Sequence, residues 1–302
     1  MTAWSTEIPL LGGGGEPVDL ERTILSHGLV ELPPMEVDPD VPSLSVTFPV
    51  TVKSARTVEI RPGRAGLARI STEGAAPSAN TAKKLLAQVR HVLRLDDDLS
   101  GFYSLVAADP DLSWSSIGAG RMVRSPTVFE DVVKTICTTN CTWSATERMV
   151  GALVGNLGAK ARGGHRAFPT AEAMAAADER FYKDVVRAGY RGPYFRTLAS
   201  DVAEGHLDLE QLNDPELPDD EVAARLLALP GVGPYATAHM MMLLGRYSRL
   251  ILDSWTRPKY ARLNGRKAGD KTIERRFRRY SDYAGLAFWL YLTRDWVEEA
   301  AG

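Results

Sequence analysis

The stretch from Leu226 to Tyr260 reads LLALPGVGPYATAHMMMLLGRYSRLILDSWTRPKY, and it decides the fold expected of this chain. Pro230 ends a helical run, because proline lacks the N–H group that a continuing helix needs and clashes with the preceding turn. Gly231 and Gly233 can take the positive φ of a tight hairpin. Pro234 fits the first turn of a following helix, where a missing N–H costs nothing. The sequence therefore predicts two helices joined by a short hairpin.

The start of the second hairpin helix, at Pro234, is predicted to bind an anion. Free N–H groups at a helix start point outward, beside the positive end of the helix dipole. The helix is expected to end near Leu244, and Asp253 follows nine positions later, after the apolar run Leu250–Leu252. An anion site and a carboxylate thus lie on one short stretch of chain.

This pattern resembles the helix-hairpin-helix DNA glycosylase superfamily, whose members remove damaged bases from DNA. The superfamily's hairpin sequence L-P-G-(V/I)-G is complete here at Leu229–Gly233, and its catalytic aspartate corresponds to Asp253. The resemblance runs from about Met122 to Trp296, and its features are most similar to the alkyladenine and 8-oxoguanine DNA glycosylases. It implies a mainly α protein with the helix-hairpin-helix glycosylase fold.

The first 95 residues have the pattern of an α+β domain with an antiparallel sheet. Three stretches alternate apolar and polar residues and are rich in β-branched types, as strands are. These stretches are Ser43–Val52, Thr57–Ile60 and Leu67–Ser71. Thr81–Leu93 has the apolar stripe of a helix. We expect domains at 1–95 and 96–302, the second being the helical glycosylase region with two lobes that flank a cleft.

Two segments of the N-terminal region have weaker patterns. Leu20 to Leu32 mixes apolar and polar residues and gives a weak indication of a strand. Gly12 to Gly15 has no side chains to order it, which predicts a flexible connector.

The overall composition indicates a soluble globular protein, with 25% charged and 44% hydrophobic residues. No uninterrupted apolar run is long enough to span a bilayer. The first ten residues lack the basic start and apolar core of a signal peptide. We therefore expect a cytoplasmic, nucleoid-associated protein with no membrane partner, acting as a monomer.

The distribution of charge indicates a partner that carries phosphates. The whole chain has a net charge of −2, yet Arg246 to Tyr280 contains twelve Lys or Arg residues against three acidic ones. A local basic face can bind nucleic acid while the rest of the molecule is acidic. Together with the resemblance, this predicts double-stranded DNA with a damaged base as the partner.

The cysteine content excludes one cofactor of the superfamily. Some members hold an iron–sulfur cluster with four cysteines after the last helix, whereas this chain has only Cys137 and Cys141. We expect both to be reduced, buried thiols on one side of a helix.

The resemblance also implies which residues contact the DNA backbone. The hairpin residues Gly231, Val232, Gly233 and Tyr235 correspond to the phosphate-binding segment, and the carbonyl groups of Leu227, Leu229 and Val232 correspond to ligands of a monovalent cation, Na⁺ or K⁺. Many members have a phosphate-binding histidine where this chain has Trp255. Arg257 or Lys259 is expected to replace that histidine.

A glycosylase must turn the damaged nucleotide out of the base stack and fill the vacated space. By resemblance, Asn140 is the wedge, although an asparagine there can also cap the next helix. The base pocket is assigned to aromatic faces that stack on the base. Its members are Tyr235, His239, Trp289 and Trp143, with Trp255 as a further candidate.

Asp253 is assigned the catalytic role, because a carboxylate stabilises the cationic sugar of the transition state and can activate a water. Members that also cut the backbone use a lysine two positions after the last hairpin glycine, where this chain has Tyr235. The prediction is a monofunctional glycosylase of base excision repair for alkylated purines such as 3-methyladenine. The alternatives are an 8-oxoguanine glycosylase and a non-catalytic DNA-binding protein.

Overall fold

The computed structural model describes residues 4–38 and 40–297, which form five β-strands and twelve α-helices. The strands are β1 (Trp4–Pro9), β2 (Met35–Asp38), β3 (Ser43–Thr51), β4 (Ser54–Pro62) and β5 (Leu67–Thr72). The helices are α1 (Leu20–Ile24), α2 (Ala79–Val92), α3 (Ser100–Val106), α4 (Val128–Thr138), α5 (Trp143–Leu157), α6 (Ala171–Ala175), α7 (Arg191–Ala203), α8 (Asp219–Leu227), α9 (Pro234–Leu243), α10 (Thr256–Asn264), α11 (Asp270–Phe277) and α12 (Ala284–Thr293). The chain is mainly α with an N-terminal antiparallel sheet, which confirms the predicted fold class.

The five strands form one antiparallel sheet in the order β1-β5-β4-β3-β2. Inward side chains recur at every second residue, as the pleat requires; Val46 and Phe48 do so on β3. These residues pack against Leu85 and Val89 on the apolar face of α2. The three strands and the helix predicted in this region are therefore confirmed.

Two predictions for the N-terminal region are wrong. Leu20 to Leu32 contains the short helix α1 and a 3₁₀ turn at Gly28–Glu31 instead of a strand. Gly12 to Gly15 is ordered rather than flexible, because the Gly13 amide donates to Asp97 O at 2.8 Å. A Cβ on Gly13 would lie 2.5 Å from the Asp96 carbonyl oxygen, so the close packing of this segment requires glycine at that position.

The helices build two further hydrophobic cores, and α9 contributes to both. Met240 and Met241 lie in a core formed by α4–α9, whereas Ala238 and Met242 lie in a core formed by α3 and α10–α12. A helix that is apolar all round belongs in such a buried position. The second hairpin helix is therefore held between the two lobes.

Cys137 and Cys141 do not share a helix face as predicted. Cys137 is buried on α4, but Cys141 follows the helix and is exposed. Its thiol lies 3.0 Å from the Cys137 carbonyl oxygen. None of the helices in residues 4–38 and 40–297 has the length and apolar character needed to cross a membrane.

The glycine segment is fixed by a buried ion pair between Glu16 and Arg121, whose side chains are 6% and 0% exposed. Glu16 Oε1 also accepts from the Leu99 amide at 2.8 Å. We expect Glu16→Ala to lower the free energy of unfolding by about 3–5 kcal/mol, because Arg121 would keep a buried charge without a partner. Chemical denaturation measures this loss.

The matched control is Asp96→Ala, which removes the 66% exposed partner of Arg90 in the same region. It should cost less than about 1 kcal/mol, as exposed ion pairs do. Equal losses for the two variants would show that the buried pair does not hold the glycine segment in place.

Candidate active site and DNA interface

The two hairpin glycines have different roles in the structure. Gly231 has φ +80°, and a Cβ there would lie 2.7 Å from the Tyr194 ring, so the fold itself requires glycine. Gly233 has φ −105° at the start of α9, and a Cβ there would meet no atom within 4 Å. The protein leaves the space beside Gly233 open.

The start of α9 presents free backbone amides on this open side. The first backbone hydrogen bond of the helix runs from Thr237 N to Gly233 O at 2.9 Å. The amides of Tyr235 and Ala236 therefore have no backbone acceptor among the described residues. Free amides at the positive end of a helix dipole suit a phosphate oxygen.

The hairpin carbonyl groups that were predicted to hold a monovalent cation have unused lone pairs. Leu229 O accepts one hydrogen bond, from Val232 N at 3.2 Å, and keeps a second lone pair. Leu227 O and Val232 O accept none from the described backbone groups outside the regular helices and strands. A bound cation would add positive charge beside the amides of α9.

Asp253 and Thr256 form a reciprocal side-chain cap at the start of α10, where Trp255 is the flanking residue. Its Oδ1 accepts from the amides of Trp255 and Thr256 at 2.8 and 2.6 Å, and its own amide donates to Thr256 Oγ1 at 2.8 Å. Within the described chain, no protein group donates a hydrogen bond to Oδ2. The backbone thus fixes one carboxylate oxygen and leaves the other free.

Tyr235, His239 and His27 form a row of neighbouring rings, and the charge of Asp253 acts on Tyr235 at one end of it. The Tyr235 and His239 rings lie 6.1 Å apart, and so do the His239 and His27 rings. Burial raises the pKa of Tyr235, and the charge of Asp253 raises it further. Burial lowers the pKa of His239 to about 4 and of His27 to about 3, so both imidazoles are neutral at physiological pH.

Two tryptophans extend this group of aromatic rings. Trp255, whose amide donates to Asp253, contacts Trp289 of α12, with the ring centroids 5.6 Å apart and the ring planes tilted by 43°. Trp289 Nε1 donates to Ser26 O at 2.8 Å. This hydrogen bond connects α12 to the segment that carries His27. We call His27, Tyr235, His239, Trp255 and Trp289 the pocket wall, after the base pocket predicted from the sequence.

The segment Ser26–Gly28 is a part of the site that the sequence did not predict. It comes from the N-terminal region, and Trp143 reaches it from α5. A Cβ on Gly28 would lie 3.5 Å from the Trp143 ring. Trp143 is 39% exposed, so part of its ring remains available to a ligand. His27 is a single histidine in a stretch without a clear periodic pattern, so no local feature of the sequence indicates that it belongs to the site.

The predicted wedge, Asn140, occupies the short loop between α4 and α5. Its φ of +46° is a left-handed conformation that asparagine tolerates better than most residues. Arg191 steadies this loop, since its guanidinium donates to Ile136 O at 3.2 Å and to Thr139 O. Asn140 is exposed, and its Nδ2 lies 3.4 Å from the Tyr190 hydroxyl. Its wedge role remains a prediction.

The two cations proposed as replacements for the missing histidine both have acidic partners. Arg257 forms a bidentate ion pair with Asp270 at 2.8 and 3.0 Å, and its side chain is 44% exposed. Lys259 Nζ lies 2.6 Å from Asp295 Oδ2, and its side chain is only 13% exposed. Arg257 is therefore better placed than Lys259 to reach a phosphate.

No protein-family model matches the sequence, and no curated protein matches it. Solved structures match over almost the whole chain. A 3-methyladenine DNA glycosylase from Archaeoglobus fulgidus has 21% identity and a TM-score of 0.72, with 97% of this chain and 99% of that chain covered.

Two further solved structures give the same TM-score. The 8-oxoguanine glycosylase/lyase from Clostridium acetobutylicum in its apo-form has 19% identity and a TM-score of 0.72, with 95% of each chain covered. MBOgg1 in complex with a low-affinity DNA ligand has 18% identity and a TM-score of 0.72, with 97% of this chain and 96% of that chain covered. The chain therefore has the fold of the helix-hairpin-helix DNA glycosylases, including the N-terminal sheet.

Proposed function

We propose that this protein is a DNA glycosylase of base excision repair. The observation that carries the proposal is Asp253, whose Oδ2 has no donor in the described protein and whose charge acts on Tyr235 at the start of α9. The amides of α9 supply a phosphate site at the same place. A protein that only binds DNA has no need for an acid beside its phosphate site.

The chemistry assigned to Asp253 is electrostatic. Breaking an N-glycosidic bond places positive charge on the sugar, and a nearby carboxylate stabilises that charge. The same carboxylate can orient a water that attacks the sugar or accept its proton. Because Oδ1 is held by two backbone amides, Oδ2 is the oxygen that does this work.

Alkylated purines are the substrates that we propose first. Methylation at N3 or N7 makes the base positively charged, and aromatic faces attract a cation. The pocket wall offers Tyr235, Trp255 and Trp289, and its two histidines are neutral because burial lowers the pKa of each well below 6.5. The wall therefore offers electron-rich surfaces without a competing positive charge.

One observation favours an oxidised purine as the second candidate. His27 Nε2 lies 2.6 Å from Val123 O, and a carbonyl can only accept, so Nε2 carries the proton. Nδ1 is then a hydrogen-bond acceptor, and it is buried without a partner among the described residues. A ring N–H donor, such as the one at N7 of 8-oxoguanine, would satisfy it.

Replacement of Asp253 tests the proposed function. Asp253→Asn keeps Oδ1 as the acceptor for Trp255 and Thr256 but removes the charge. We expect base release to fall by roughly a hundredfold or more, as for loss of a positioned acid–base group. Single-turnover excision from a lesion-bearing duplex measures the fall, and the duplex should still bind.

Asp253→Ala is the companion variant, because it also removes the cap. It should lose about 0.5–2 kcal/mol of folding stability, whereas Asp253→Asn should lose little. Wild-type turnover in Asp253→Asn would show that the residue is only a helix cap and would contradict the proposed role.

The open space at Gly233 gives a test of the DNA contact. Gly233→Ala adds a methyl group that meets no protein atom. It would, however, meet a phosphate held by the adjacent amides. We expect affinity for every duplex, damaged or not, to fall by about tenfold or more, since a hydrogen bond to a charged group contributes about 1.5–3 kcal/mol. Binding isotherms measure this loss.

The control is Gly155→Ala on α5, which also adds a methyl group in open space. Its affinity for DNA should equal that of the wild type. Unchanged affinity in Gly233→Ala would show that DNA does not approach the hairpin.

We also propose that the enzyme is monofunctional. Burial raises the pKa of Tyr235, which stands where backbone-cutting relatives carry the lysine, so its phenol is a poor nucleophile. Lys134 is buried with its Nζ 2.7 Å from Glu130 Oε1, and Lys259 is paired with Asp295. Neither ammonium group is available to attack the sugar.

Borohydride trapping tests this assignment. Incubation with a lesion-bearing duplex should release the base, leave an intact abasic site and give no covalent adduct, because no amine forms the required imine. A relative with glycosylase and lyase activity serves as the positive control. A trapped adduct that persists after the N-terminal amine is blocked would contradict the assignment.

A further inference from the structure

The loop between α10 and α11 borders an open cavity of about 980 Å³ that is separate from the pocket wall. Its lining contains four basic side chains, from Arg266, Lys267, Arg275 and Arg276, and no acidic one. The remaining lining residues are Tyr260, Asn264, Ala268, Gly269 and Thr272. The cavity is therefore strongly positive.

Three of the four cations have no partner in the described protein. Arg276 is fixed by Asp111 at 3.0 Å and lies 4.5 Å from the Tyr291 ring. By contrast, Arg266, Lys267 and Arg275 are exposed and form no ion pair with a described residue. We call these three residues the basic patch. Uncompensated charge at this density lowers stability unless an anion neutralises it.

The basic patch lies close to Asp253 because of how α10 and α11 are connected. α10 begins three residues after Asp253, and its nine residues span about 13 Å at 1.5 Å per residue. The loop that follows folds back, so that Asp270 on α11 pairs with Arg257 in the first turn of α10. The patch therefore lies about the length of this short helix away from the Asp253 carboxylate.

We propose that the basic patch binds the sugar–phosphate backbone of duplex DNA that flanks the damaged base. At 3.4 Å per nucleotide along the helix axis, a span of about 13 Å corresponds to about four base pairs. The patch thus adds phosphate contacts on one flank, beyond those made by the hairpin. This inference rests on the proposed function and specifies how much DNA the enzyme engages.

The geometry favours a polymer backbone over a small anion. The three cations are exposed at the edge of an open cavity, and the cavity is far larger than a single phosphate. Flexible exposed cations suit successive phosphates, which contribute to affinity without reading the sequence.

The salt dependence of binding to an undamaged duplex tests the proposal. Each phosphate contact contributes about 0.9 to the slope of log affinity against log salt concentration. The triple variant Arg266→Gln, Lys267→Gln, Arg275→Gln should therefore lower the slope by about 2–3. Between 50 and 200 mM salt, the wild type should lose about 40-fold more affinity than the variant.

The control removes the same three charges from the N-terminal region, as Lys53→Gln, Lys83→Gln, Lys84→Gln. These lysines are exposed on the turn between β3 and β4 and on α2. The control should keep the wild-type slope. An equal fall in both triple variants would show an effect of net charge alone and would overturn the proposal.

Shortening the duplex locates the contact. Truncation of one flank to fewer than about four base pairs from the lesion should weaken binding by the wild type but not by the basic-patch variant. Equal weakening of both proteins, or a wild-type slope in the basic-patch variant, would overturn the inference while base excision still supported the proposed function. A wild type that binds no duplex would overturn both.

Discussion

The burial of α9 on both sides is the constraint on which the site depends. Met240 and Met241 pack into one helical core, and Ala238 and Met242 pack into the other. Any rotation of the helix would remove apolar surface from one core, at about 25 cal/mol per Å². The free amides at its start and the ring of Tyr235 therefore have fixed positions relative to both lobes.

A second interaction fixes Asp253, because its side chain caps the start of α10. Oδ1 accepts hydrogen bonds from two backbone amides, which hold the carboxylate in place, and Oδ2 has no donor in the described protein. Holding a reactive group with the backbone gives the preorganisation that electrostatic catalysis requires. The same side chain thus caps α10 and supplies the carboxylate that we propose to be reactive.

The parts of this protein that could be predicted are those whose conformation depends on residues close together in the sequence. The hairpin could be predicted because Pro230 and the glycines act on their immediate neighbours. The segment Ser26–Gly28 could not be predicted, because it joins the site through Trp289 and His239, which are more than two hundred residues away in sequence. Long-range packing also buries Lys134 of α4, a residue type that is almost never fully buried unless it is paired, as it is here with Glu130.

We propose that the site around Asp253 releases a damaged base by hydrolysis. The most direct measurement is the release of free base by the wild-type protein from duplexes that each carry one lesion. We expect that 3-methyladenine or 7-methylguanine is released and that the abasic strand stays intact. Release of 8-oxoguanine alone would favour an oxidised purine that bonds His27 Nδ1. No release from any of these duplexes would contradict the proposed function.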